Sequence, residues 1–257
     1  MTDTARSLVV DECPNHPGIS VYDCRPCENA RKDTRIRRQM AEAYDREFDR
    51  CDRGFPPRYR DAATDNPDVL AWVSEFVAEP ERASSLLLLG PTGVGKTWQA
   101  YAALRAAATG ITGAPGRIAG IGWIASTWAD INAAMRPRPG VETEDVLERH
   151  RRCGLLLVDD LGVAKGSEWV EELTYRLING RYEAMRPTIF TTNLALPALK
   201  DALGDRIASR LAESCTRIVL TGDDRRRKSG NGVTVLARTR PPAENEPRDP
   251  HDRWWEN

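Results

Sequence analysis

Residues 86–104 leave this chain the fewest choices of fold. The apolar run Leu86-Leu87-Leu88-Leu89 leads into Gly90-Pro91-Thr92-Gly93-Val94-Gly95-Lys96-Thr97, and the helix-forming stretch Trp98–Leu104 follows. Strand, glycine loop and helix in succession are the setting in which a GxxxxGK[ST] segment acts as a phosphate loop. The glycines let successive backbone N–H groups turn inward on a polyphosphate, and the helix N-terminus adds partial positive charge. Lys96 is placed to reach the β- and γ-phosphates of a nucleoside triphosphate, and the Thr97 hydroxyl to ligate Mg²⁺. Gly90, Pro91, Thr92, Gly93, Val94, Gly95, Lys96 and Thr97 are therefore the candidate nucleotide-binding residues.

The surrounding pattern fits that reading. Short apolar runs recur at 86–89, 118–125, 155–158, 188–191 and 217–220, separated by helical patterns at 95–108, 126–135, 142–151, 167–185 and 203–213. Such alternation predicts an α/β fold with a parallel five-stranded sheet flanked by helices. A chain of 257 residues, 40% hydrophobic, can hold one such domain and a small appendage. The net charge of −1 gives no global pull toward nucleic acid, so any such contact must come from local basic patches. No apolar stretch approaches the ~20 residues of a membrane span, and Met1–Arg6 lacks the apolar core of a secretory signal. The expectation is a cytoplasmic protein without a membrane partner, whose six cysteines are thiols or metal ligands rather than disulfides.

Three further segments supply chemistry for a nucleotide site. Leu155-Leu156-Leu157-Val158-Asp159-Asp160 is an apolar strand ending in two acids. A carboxylate there can anchor Mg²⁺, the role assigned to Asp159, and Asp160 can polarise the attacking water as general base. The plainer alternative is that both acids cap a turn into Leu161-Gly162. Thr191-Thr192-Asn193 closes the next strand, where the Asn193 amide can hold the lytic water or a γ-phosphate oxygen; otherwise it is a turn signal. Arg206 and Arg210 lie four apart on one face of a predicted helix, beside the apolar Leu203, Ile207 and Leu211. One of them can project toward a γ-phosphate, including that of a neighbouring subunit, or both can be solvated partners of Asp205 and Glu213.

At the N-terminus, Cys13, His16, Cys24 and Cys27 form C-x₂-H … C-x₂-C, enough for a closed tetrahedral Zn²⁺ site that would replace a core in so small a segment. Cys51, Cys153 and Cys215 fall outside this spacing and read as thiols of the core or near the surface, and His150 and His251 as plain polar residues. A charged helix over 28–53 carries the narrow stripe Ile36, Met40, Tyr44, Phe48 and Cys51, either a partner-binding face or a face packed on the main body. Pro56-Pro57 closes it. Asn66 caps a helix with Pro67 in its first turn, running to Ala78. The organisation read from the chain is an arm at 1–54, an ATPase domain at 55–222, and a polar tail at 223–257 with too few apolar side chains to order itself.

These elements in this order resemble the AAA+ ATPases of the DnaC/IstB type, the bacterial and phage helicase loaders and transposition helper ATPases. The likeness is carried by Gly90–Thr97, Leu155–Gly162, Thr174–Tyr182, Thr191–Leu194 and Arg206–Leu211, and covers about residues 55–222. The resemblance implies an AAA+ P-loop NTPase fold, ATP with Mg²⁺ as its ligands, homo-oligomers in the ATP-bound state, and an arginine finger in trans, best matched by Arg210. It also implies ATP-dependent assembly on single-stranded DNA or on a replicative DNA helicase, which the N-terminal region grips. Most AAA+ enzymes carry glutamate where this chain has Asp160, while this subfamily often carries aspartate, which suits a slow switch. No full helical lid domain fits after Leu220, so a lid arginine would be replaced, if at all, by Arg225-Arg226-Arg227.

Between the second and third strands lie Trp123, Trp128, Arg136 and Arg138, then Arg149-His150-Arg151-Arg152. Basic residues near aromatics can track a nucleic-acid backbone and stack bases, although both tryptophans are equally readable as core. Arg136 and Arg138, in a Pro/Gly turn, are the candidate DNA contacts. Three functions follow: a helicase loader, a transposition helper that marks target DNA, or a nucleotide-binding adaptor in which Asp160 is too short for useful hydrolysis. The zinc-bearing arm favours the first.

Overall fold

The computed structural model describes residues 12–20, 24–112, 119–140, 142–162 and 168–222. The described residues fall into two compact units that divide between Glu42 and Ala43. The expected tail at 223–257, with its arginine cluster and His251, lies outside the described residues, as does the start of the second apolar run at Ile118.

In the first unit, β1 (Glu12–Cys13) and β2 (His16–Ser20) pair antiparallel. Then α1 begins, spanning Arg25–Gly54. Its turns from Glu28 to Gln39 are exposed all round. The exposed i,i+4 pairs Lys32–Glu28 (2.9 Å) and Arg38–Glu42 (3.0 Å) support it weakly, since water screens both.

In the second unit the last turns of α1 bury Ala43, Glu47 and Cys51, a line that continues to Phe55. That line is displaced from the stripe legible in the sequence, because it includes an acid that a pattern of apolar residues leaves out. Glu47 is satisfied there by Arg50 (3.0 Å) and by the Trp123 indole N–H (2.8 Å). Tyr44 and Phe48 flank the line half-buried, and the Arg105 guanidinium lies 4.6 Å over the Phe48 ring. After a short 3₁₀ turn at Pro57–Tyr59, α2 (Pro67–Ala78) starts where the Asn66 carboxamide oxygen accepts from the N–H groups of Asp68 and Val69. It buries Val69, Trp72, Val73 and Phe76, three or four apart.

A five-stranded parallel sheet follows, built from β3 (Ser85–Leu89), β4 (Trp123–Thr127), β5 (Leu155–Asp159), β6 (Thr188–Thr192) and β7 (Cys215–Val219) in the order β4-β5-β6-β3-β7. The helices are α3 (Lys96–Thr112), α4 (Trp128–Met135), α5 (Thr143–Arg152), α6 (Glu168–Glu183), α7 (Leu196–Leu203) and α8 (Asp205–Ser214). Side chains alternate across the sheet, so Leu86, Leu88, Leu155 and Leu157 join a core with α2 and α3. Leu87, Leu89, Leu156, Val158 and Phe190 face the second core, under α4 to α8. Burial on both faces is why these strands read as continuous apolar runs.

Some element bounds differ from expectation, among them the end of α3, which runs four residues further to Thr112. The second sheet strand begins at Trp123, leaving Gly120 and Gly122 outside it. The last strand begins two residues earlier, at Cys215. The eight-residue α7, too short for a periodic signal, was not expected; Gly204, at φ 84°, breaks it from α8. One residue ties the layers together from below the site. Arg181 is 2% exposed and donates to the carbonyls of His150, Arg151, Cys153 and Pro187 and to Thr188 Oγ1. Burial holds its pKa down to about 10, and backbone carbonyls in place of a carboxylate disperse the charge.

Candidate active site

Parallel strands place their carboxyl ends on one edge, and the chemistry gathers there. β3 delivers Gly90–Gly95, β5 delivers Asp159 and Asp160, and β6 delivers Thr191, Thr192 and Asn193. Gly90, at φ 151°, must be glycine because a Cβ would stand 2.3 Å from the Leu220 carbonyl oxygen, whose residue is tied to Leu89 O through its N–H (2.7 Å). Gly93 and Gly95 hold φ 89° and 98°. The loop then turns into α3, whose first residue is Lys96. The buried Lys96 ammonium donates to the carbonyls of Gly90 (2.8 Å) and Pro91 (2.9 Å), which fixes it within the arch of the loop.

Thr97 and Asp159, 62 residues apart in sequence, meet here: the hydroxyl is 2.9 and 3.1 Å from the two carboxylate oxygens. A hydroxyl and a carboxylate side by side are hard oxygen donors of the kind Mg²⁺ accepts, so the residues fit that ion. A third donor, to which the sequence reading gave no part, completes the group. Thr191, fully buried on β6, donates its hydroxyl to Asp159 Oδ1 (2.6 Å) and accepts the Asp160 N–H (2.9 Å). Asp160 is in the left-handed region, at φ 58°, unusual for a non-glycine residue. Leu161 N–H to Thr191 O and Thr192 Oγ1 to Leu161 O, both 2.8 Å, clamp the same turn to β6. The Asp160 side chain is left exposed, as is Asn193.

Electrostatics at Asp159 are opposed. Burial raises its pKa above the ordinary 3.8, while the hydrogen bonds from Thr191 and Thr97 and the Lys96 charge pull it back. The ionised carboxylate is thus held where a cation relieves it.

The arginines lie elsewhere. Arg206 is exposed on α8, and Arg210 is engaged with α6, its Nε donating to Asn179 Oδ1 (2.5 Å). Neither Arg206 nor Arg210 pairs with Asp205 or Glu213, since Asp205 meets Lys200 (3.2 Å) and Glu213 accepts from Tyr182 Oη (2.7 Å). Arg136 and Arg138 are exposed between α4 and α5. The two tryptophans beside them in sequence are committed to packing, Trp128 at 3% exposure and Trp123 under Arg50 at 4.7 Å and against Phe55 at 5.4 Å.

In the first unit, Cys13, His16, Cys24 and Cys27 bring their ligand atoms within 4.8 Å of one another. His16 Nδ1 is 3.6, 3.3 and 3.3 Å from the sulfurs of Cys13, Cys24 and Cys27, and Cys13 is 3.4 Å from Cys27. Zinc bond lengths of ~2.3 Å to sulfur and ~2.0 Å to nitrogen give tetrahedral edges of about 3.5–3.8 Å, and these four distances match to within a few tenths of an ångström. The hydrogen bond to His16 lowers the Cys13 pKa to about 6, toward the thiolate that binds metal, while the hydrogen bond to Cys13 raises that of Cys27. Cys51 and Cys215 are buried thiols, both pushed up to about 12 by burial. His150 is buried, bonded to the Val146 carbonyl. Among the described residues no helix is long and apolar enough to cross a membrane.

Fold and site together define a P-loop ATP-binding domain of the AAA+ type. Residues 69–231 match the model of the family described as IstB-like ATP binding protein, and the chain belongs to that family. The replicative helicase loader DnaC of Escherichia coli K12 is 28% identical over 88 residues, 33% of this chain, and the match spans 36% of that protein's length. A crystal structure of the DnaC helicase loader is similar with a TM-score of 0.54 and 27% identity, covering 65% of this chain and 100% of the solved one. AMPPCP-bound DnaA from Aquifex aeolicus shares the fold at a TM-score of 0.52 and 22% identity, covering 67% of this chain and 53% of that one.

Proposed function

We propose that the chain is an Mg²⁺-dependent ATPase that couples ATP binding and hydrolysis to the loading of a replicative helicase on single-stranded DNA. The observation that carries the reading is the convergence of Thr97, Asp159 and Thr191 beside the Lys96 loop. The similarity to the DnaC loader in sequence and in structure supports the choice of partner. The inward amides of Gly90–Gly95 and the Lys96 ammonium bind the β- and γ-phosphates, and Thr97 with Asp159 would hold Mg²⁺. When bound, that ion neutralises charge developing on the phosphoryl oxygens. Asp160 accepts a proton from the attacking water, Asn193 orients that water, and Arg210 of an adjacent copy stabilises the transferred phosphoryl group. Residues 1–54, folded at their tip by Zn²⁺ on Cys13, His16, Cys24 and Cys27, dock the helicase, and Arg136 and Arg138 contact the DNA backbone.

Lys96→Ala is expected to lower affinity for ATP–Mg²⁺ by ~100-fold or more in titration calorimetry, since one ammonium supplies the charge facing two phosphates. Unchanged affinity would remove the basis of the whole reading. Co-purification of the full chain with a replicative helicase, made ATP-dependent, tests the partner. Family membership also supports a second reading, a transposition helper; capture of a transposase in place of the helicase would select it.

A further inference from the structure

We propose that Tyr175, Asn179 and Tyr182 of α6 form a cradle that pre-orients Arg210, making this α6–α8 face the surface that meets the nucleotide of a second copy of the chain. The inference rests on the reading of Arg210 above as acting on a neighbour's phosphate. Its own support is the way the guanidinium is held. Arg210 Cζ lies 5.3 Å from the ring centroid of Tyr175 and 5.3 Å from that of Tyr182, so two aromatic rings of α6 contact it. Nε donates to Asn179 Oδ1 (2.5 Å), and Asn179 Nδ2 donates to Glu183 Oε1 (2.9 Å), which orients the amide. Tyr182 is itself anchored by its hydroxyl on Glu213 Oε1 (2.7 Å).

Each holder is neutral. Among the described residues no carboxylate pairs with Arg210. Glu183 and Glu213 act on the neutral groups around it instead. Nη1 makes one long contact, 3.4 Å to the Arg206 carbonyl, and among the described residues no hydrogen bond engages Nη2. The flexible side chain is thus fixed while its charge and its outer donors stay available to a polyanion. The partners come from α6 and from α8 itself, and no residue of the chain's own phosphate loop is among them. An external phosphate, in a neighbouring copy, is the ligand this geometry suits.

Tyr175, Asn179 and Tyr182 are positioning residues, and the test separates positioning from folding. Asn179→Ala and Tyr175→Leu are each expected to lower ATP turnover by about tenfold or more, the scale of a misplaced catalytic group, with calorimetric affinity for ATP–Mg²⁺ held within about twofold. Because the guanidinium serves the next subunit, adding Asp160→Asn protein, inactive alone but with an intact cradle, restores turnover to Asn179→Ala protein as it does to Arg210→Ala protein. The double variant Asp160→Asn/Asn179→Ala restores nothing. Wild-type turnover by Asn179→Ala and Tyr175→Leu, or rescue of Arg210→Ala but not of Asn179→Ala, overturns the cradle alone. Full turnover by Arg210→Ala overturns the reading beneath it.

Discussion

The Asp159 carboxylate is 7% exposed and takes hydrogen bonds from two threonines, yet burial still holds its pKa above 3.8. A carboxyl whose folded pKa exceeds its unfolded one binds its proton more tightly when folded. Its ionisation therefore costs stability as pH rises through that interval. Asp159→Asn is expected to melt no lower than the parent protein at pH 7, with the difference shrinking toward pH 4, while Mg²⁺-dependent nucleotide binding is lost; thermal scans across pH with calorimetry check both halves. Thr191 makes a sharper case. Thr191→Val keeps the shape but strips the Asp160 N–H and Asp159 Oδ1 of a shared partner, a loss of about 1–3 kcal/mol on a denaturant curve. Turnover should fall at least ~10-fold, because the turn bearing Asp160 loses its anchor, and Thr191→Ser should recover most of it. Equal turnover for the valine variant would show that the hydroxyl serves the fold alone.

At the scale of elements, short segments differ in how far local pattern could reveal them. The Cys13/His16/Cys24/Cys27 knuckle is spelled out within fifteen residues, and its side chains converge because turn and hairpin geometry are local. Purified protein is expected to carry about one equivalent of zinc, and chelation to expose the Cys13/His16/Cys24/Cys27 knuckle to protease while ATP affinity in the second unit is retained. Metal content below a third of an equivalent would dismiss the site. The line along α1 was harder to read, since Glu47 holds a core position through Trp123 and Arg50 rather than through its own apolarity. Arg181 escaped notice for the same reason. Its carbonyl partners leave no sequence signature, because every residue has a carbonyl.

For the whole molecule, a net charge of −1 means that any DNA affinity must reside in a few side chains; the tryptophans are committed to packing, and Arg136 and Arg138 are exposed. Arg136→Ala with Arg138→Ala should weaken single-stranded DNA binding and reduce the slope of log affinity against log salt by about 1–2, readable by fluorescence anisotropy; an unchanged slope argues against them. The phosphate loop, the apolar runs of the three central strands and their acidic or amide ends were legible along the chain, because strand, loop and helix there are contiguous and a strand buried on both faces must be apolar throughout. The Thr191 link across 32 residues and the Arg210–Asn179 contact across 31 appear only once the sheet is assembled. Those contacts depend on distances between side chains from different elements, and residue types in a row carry no record of such distances.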